Sequence, residues 1–255
     1  VPSAIKHDHE LSSKGLVSVL VHSQQATPDE LQAFLLKTFP DNDCFVTPSA
    51  FVPTPASTGI PHAALIGVDG KLLWDGHPLG EPKKIQELID AELLKVKKGW
   101  GETSEARKVR ASLYGKNDLG GAAALIAALA DGEEKTALQG ELDRRYATQK
   151  KSITELQNQG RWLDSQAACK ALLKDVGTKA EWVAEVQPML LAFDNPESKA
   201  ELAADKKLEK IEKALRDKKR DGAPKAIESL LKSAANTKVG ERAQRLLTAL
   251  NTPLP

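Results

Sequence analysis

The stretch Ser57-Thr58-Gly59-Ile60-Pro61-His62-Ala63-Ala64-Leu65-Ile66-Gly67-Val68-Asp69-Gly70-Lys71-Leu72-Leu73-Trp74-Asp75-Gly76 holds two short apolar runs joined at Asp69-Gly70. An Asp-Gly dipeptide favours the positive φ of a tight hairpin turn, so a hairpin is predicted with strands over 63–68 and 71–74. An Ile-Pro step stands at the mouth of the first strand, where a proline is tolerated only at a strand start or a sheet edge.

Working outward, residues 1–98 mix strand and helix signals. Leu16 to His22 is a β-branched-rich run that reads as a buried strand. Thr27-Pro28-Asp29-Glu30 opens a helix, with Thr27 as N-cap, Pro28 at the first helical position and Glu30 completing a capping box. Its apolar stripe is Leu31, Phe34, Leu35 and Phe39. Four prolines between Pro40 and Ser57 exclude continuous helix and leave only residues 44–46 or 50–52 as short edge strands. Glu81-Pro82 starts another helix, with Ile85, Leu88, Ile89 and Leu93 spaced for one face.

Residues 99–255 contain no convincing strand. Three segments there, 114–129, 158–173 and 218–231, each lead a turn into a helix rich in small residues. Leu119, Trp162 and Ala223 begin them, with Ala122, Ser165 and Ala226 three positions on and Leu129, Leu172 and Leu230 closing the stripe. Small residues allow close helix approach, so each segment is expected to start an antiparallel helix pair. The spacing between starts is too irregular for a strict array. Residues 136–159 and 196–220 alternate opposite charges at three- and four-residue spacing, which supports exposed helix faces.

The 36 basic residues nearly balance 35 acidic ones, and a formal charge of +1 names no nucleic-acid or anionic-membrane partner. No apolar run is long enough to span a membrane. Cys44 and Cys169 are 125 residues apart and fit neither a CxxC pair nor zinc knuckles; they read as packed or free thiols, and a bridge would need their regions to touch. His7 and His9 point about 200° apart on a helix, so no metal site is read there. Nucleotide-binding and hydrolase fingerprints are absent from the sequence, and no cofactor is implied.

The run "GLVSVLVHSQ" (15–24), then "TPDELQAFL" (27–35), then "GIPHAALIGVDGKLLWDGHP" (59–78) and a closing amphipathic helix resembles the thioredoxin-like fold, in particular the TlpA-like branch of extracytoplasmic thiol-disulfide oxidoreductases. The later helices resemble tetratricopeptide hairpins. The expected architecture is an α/β thioredoxin-like domain over 1–98 followed by an all-α helical-hairpin domain over 99–255. The resemblance implies a cis Ile60-Pro61 bond and a substrate groove at Ile60, Pro61 and His62, where an extended protein segment adds like a strand. It also implies an extracytoplasmic location and a catalytic CxxC, which is not in this chain and is expected just upstream of Val1, with the central strand of the sheet. Two functions follow as expectations: a thiol-disulfide oxidoreductase with a helical docking region for a protein substrate, or a redox-silent module that binds an assembly partner.

Overall fold

The computed structural model describes residues 2–21, 27–39, 45–47 and 62–252. Eleven α-helices and four short strands follow one another along these residues. They are α1 (Pro2–Leu11), β1 (Val19–Val21), α2 (Pro28–Thr38), β2 (Phe45–Thr47), β3 (Ala63–Ile66), β4 (Leu72–Gly76), α3 (Pro82–Lys98), α4 (Ser104–Arg110), α5 (Leu119–Ala127), α6 (Glu133–Asn158), α7 (Trp162–Asp175), α8 (Ala180–Leu191), α9 (Pro196–Arg216), α10 (Ala223–Ala234) and α11 (Lys238–Asn251).

The expectation of an α/β thioredoxin-like domain is corrected. Helix makes up 72% of the structure, and the strands form two separate two-stranded sheets. In one, β1 and β2 run parallel with Val19 opposite Phe45; in the other, β3 and β4 are antiparallel with Leu65 opposite Trp74. A two-stranded ribbon of three to five residues per strand has too little area to found a core, so burial falls to the amphipathic helices.

Several local signals were followed, but the strand expected buried over 16–22 forms only at Val19–Val21 among the described residues, with Val17 65% and Val21 45% exposed. The hairpin forms around Asp69-Gly70, where Gly67 N–H donates to Lys71 O at 2.8 Å and Gly70 N–H to Gly67 O at 2.9 Å. Helix α2 starts with the capping box: Glu30 N–H donates to Thr27 Oγ1 at 3.3 Å while Thr27 N–H donates to Glu30 Oε2 at 2.9 Å. Helix α3 starts at Pro82, and α5, α7 and α10 begin at Leu119, Trp162 and Ala223. Two stripe positions are off: Leu129 lies beyond the end of α5, whose buried residues are Leu119, Ala122 and Ile126, and Ala226 faces solvent, with α10 buried along Ala223, Ile227, Leu230 and Ala234 instead.

The described residues divide into two compact units. Residues 2–21, 45–47 and 62–138 form the first, and 27–39 with 139–252 the second. The chain just after α3 stays with the first unit because its backbone packs directly on α4: a Cβ added at Gly99 would lie 1.8 Å from Arg107 O. Its core includes Val109, Leu113, Leu119, Ala122 and Ile126, each at most 1% exposed. The hairpin is tied to α3 by Trp74 Nε1–H donating to Glu81 at 2.8 Å and by Val68 N–H donating to the buried Glu92 at 2.9 Å.

The second unit is all helix among its described residues. Consecutive helices α7 and α8, and α10 and α11, pack as hairpins, and α9 contacts α7, α10 and α11. Leu208, Leu215, Ile227, Leu230, Val239 and Leu246 lie at the centre of its core, and Leu36 of α2 packs against them. Helix α2 therefore belongs to this unit: it packs on α11 with Leu31 and Ala33 buried, while Phe34 of the expected stripe is exposed.

Candidate functional site

Of the three groove residues expected from the sequence, Ile60 and Pro61 lie outside the described residues. His62 is half-buried at the start of the β3–β4 hairpin, its Nε2 3.7 Å from Asp75 Oδ2. That separation is too long for a hydrogen bond, and Nε2 is buried with no hydrogen-bond partner among the described residues. The contact is a weak ion pair that acts only when the imidazole is protonated.

Cys169 is fully buried in α7, with Sγ 3.9 Å from Val186 O of α8. Burial pushes its thiol pKa up, because the thiolate loses hydration with no compensating charge. It is a packing residue. With Cys44, which lies outside the described residues, replaced by serine, Ellman's reagent should label Cys169 at least about 100-fold more slowly in buffer than in denaturant. Comparable rates in the two media would contradict this placement.

The densest gathering of functional groups lies in the second unit, where α7, α9 and α11 meet. A pocket of about 200 Å³ is lined by Arg161, Leu163, Asp164, Asp205, Glu209, Glu212, Arg216 and Arg242. Its floor is built by α9. Asp205, 3% exposed, accepts from Leu163 N–H at 2.8 Å and so caps the first turn of α7 from a distant helix. Its other oxygen accepts from Arg242 Nη1 at 3.0 Å. The Arg242 guanidinium also donates from Nε to Glu212 Oε1 at 3.0 Å, from Nη2 to Glu212 Oε2, and from Nη1 to Gly160 O at 3.0 Å. This fork-to-fork pairing matches guanidinium and carboxylate geometry.

One turn earlier on α9, Glu201 accepts from Lys238 N–H at 2.8 Å and Val239 N–H at 3.1 Å, capping α11. Helix α9 thus places carboxylates against the positive N-termini of two other helices. Electrostatics at the floor are unbalanced by burial. Desolvation raises the Asp205 pKa above its ordinary value, and the Leu163 N–H and the Arg242 charge oppose that shift.

The rim differs from the floor. Arg161 Nε pairs with Asp164 at 2.8 Å near the start of α7, both half exposed. Glu209 and Arg216, seven residues apart on α9, are exposed. Seven residues bring them to one face about 10 Å apart along the axis. The pocket therefore offers both signs of charge to solvent above a fixed ionic floor. The lining side chains are Arg, Asp, Glu and Leu, a set suited to binding charged groups rather than to nucleophilic chemistry. Among the described residues, no group of three or more His, Cys, Asp or Glu is placed to hold a metal ion.

Sequence reading missed this site because it took the charges of 196–220 for surface pairs. A signal was present: Glu201, Asp205, Leu208, Glu212 and Leu215 follow a 4-3-4-3 spacing, so three carboxylates share the stripe of two core leucines. No helix is long and apolar enough to cross a membrane among the described residues. No protein-family model, curated protein or solved structure matches the chain, so the thioredoxin-like and tetratricopeptide-like resemblances rest on the quoted stretches alone.

Proposed function

We propose that this chain is a protein-binding module whose second unit docks a charged segment of a partner protein over the α7–α9–α11 pocket. The observation that supports this reading is the open pocket with a hydrogen-bonded floor of buried Asp205 and half-buried Arg242 and Glu212, and with exposed Glu209 and Arg216 at its rim. Ionic groups held in place by three helices pre-organise a polar surface, which lowers the entropic cost of engaging a partner. Helical hairpins stacked on a common helix supply the rigid frame such a surface needs. The oxidoreductase reading depends on a motif expected before Val1, and no described residue adds to it.

The test is selection of a displayed random-peptide library on the full chain, followed by affinity measurement of the enriched peptides. Charged peptides should emerge whose binding weakens about tenfold or more with Glu209→Lys or Arg216→Glu, both at exposed positions. Enriched peptides indifferent to both changes, or a library that yields none, would place the interaction elsewhere and remove the proposal.

A further inference from the structure

We infer that the first unit carries a docking surface for a short acidic protein segment, formed where the end of α3 folds back against α4. Between Lys95 and Lys116 the sequence has seven basic residues, Lys95, Lys97, Lys98, Arg107, Lys108, Arg110 and Lys116, against Glu102 and Glu105 only. The rest of the chain then holds 29 basic and 33 acidic residues, with one other strongly basic stretch, 206–220 in the second unit, where eight basic residues stand against three acidic.

The fold turns this stretch into a surface. Besides the contact of Gly99 with Arg107 O, a Cβ added at Gly115 would lie 2.8 Å from Lys97 O, which brings Lys116 beside the last turn of α3. Arg107 donates to the Gly101 and Glu102 carbonyls at 3.0 and 3.1 Å, and Arg110 to Trp100 O at 3.0 Å while lying 5.5 Å from the Trp100 ring. These contacts orient both guanidiniums, and the charge of Arg107 also acts on Glu105. Lys95 is paired with Glu92. Lys97, Lys98, Lys108 and Lys116 are exposed, and the charge of Lys108 acts on Glu105.

Some of this charge has a local explanation, since lysines in the last turn of α3 complement the helix dipole. The same account covers Arg107, Lys108 and Arg110 in the last turn of α4 and leaves Lys116 outside it. The face also presents an apolar anchor: Leu94 is 48% exposed and stands three and four residues before Lys97 and Lys98, on their side of the helix. Charge complementarity selects an acidic partner, and the extent of the patch selects a short one. Nucleic acid would run past the patch and meet a chain that is net negative elsewhere, whereas an acidic segment of about a dozen residues covers the patch alone within a Debye length of about 10 Å.

None of these residues lines the pocket of the second unit, so this inference stands apart from the function proposed there. The test is fluorescence anisotropy on the full chain with three labelled probes: a Glu-rich peptide of about twelve residues with one central leucine, its Gln-for-Glu counterpart, and a duplex DNA of about 20 base pairs. The acidic peptide should bind at about 50 mM salt and lose affinity as salt rises. Lys97→Glu with Lys98→Glu should weaken it by about tenfold or more, while Lys232→Glu on α10, also exposed, leaves it within about twofold. Unchanged thermal melting of the double variant would show that folding is intact. Absence of peptide binding, equal binding of the Gln peptide, an equal loss with Lys232→Glu, or tighter binding of the DNA than of the peptide would each overturn the inference.

Discussion

Arg242→Ala will destabilise the second unit by about 3–5 kcal/mol in denaturant unfolding, far more than loss of a surface ion pair. Its side chain is 19% exposed and sits between Asp205, 4% exposed at the side chain, and Glu212 at 21%. Truncation leaves a buried carboxylate with no cation, a second carboxylate beside it, and the Gly160 carbonyl without its donor. Replacing the whole group, with Arg242→Met, Asp205→Asn and Glu212→Met, should recover more than half of the loss. Asparagine still accepts from Leu163 N–H, and no unpaired charge remains buried.

The same variant has a defined pH signature. Because the folded-state pKa of Asp205 is raised above 3.8, folding favours its protonated form, and the stability it contributes is present at low pH and lost as pH rises through the folded pKa. Without the guanidinium the folded pKa rises further, so the deficit of Arg242→Ala should shrink as pH falls from neutrality toward the ordinary carboxyl range. A loss below about 1 kcal/mol at neutral pH, or one that grows on acidification, would show that the cluster is solvated and not a structural floor.

Gly240→Val should destabilise the second unit by about 3 kcal/mol or more. Gly240 lies in the first turn of α11, where Thr237 Oγ1 accepts its N–H at 2.9 Å, and faces the end of α10. A Cβ there would stand 1.9 Å from Ala234 O and 2.8 Å from Ala234 C. Both are backbone atoms, so no rotamer change relieves the clash. The two helices would have to part, and Val239, Ala243 and Leu246 would lose packing across α10. Gly140→Ala is the counterpart: this glycine is inside α6 with only Arg144 Nη1 at 3.4 Å from an added Cβ. It should stabilise the chain by up to about 1 kcal/mol through helix propensity. If Gly240→Val unfolds at the same denaturant concentration as the parent, α10 and α11 do not pack as described.

The local elements were legible from single residues. The Thr27 to Glu30 capping box, the Asp69-Gly70 turn, Pro82 at the start of α3, and the helix starts at Leu119, Trp162 and Ala223 all follow from interactions within a few residues of each other. Their arrangement was not legible. The four strand signals suggested an α/β domain, yet a sheet is defined by partners beyond the local sequence, and among the described residues each strand found only one. Nor does the local pattern show that Gly99 lies against the Arg107 backbone or that α2 packs on α11.

Much the same divides the two parts of the candidate site. Alternating charge along α9 was visible, and it determined that this segment would be a helix with acidic and basic positions on regular faces. Which carboxylates stay in water and which are buried was set only when α7 and α11 packed on it. Glu209 and Asp205 are four residues apart on one helix, and one is exposed while the other is 3% exposed. A charge's worth depends on its dielectric surroundings and on partners supplied by other elements, here Leu163 and Arg242. The sequence alone determined where helices and turns begin, because those choices are made by neighbours. The tertiary structure decided which charges became framework and which were left as surface.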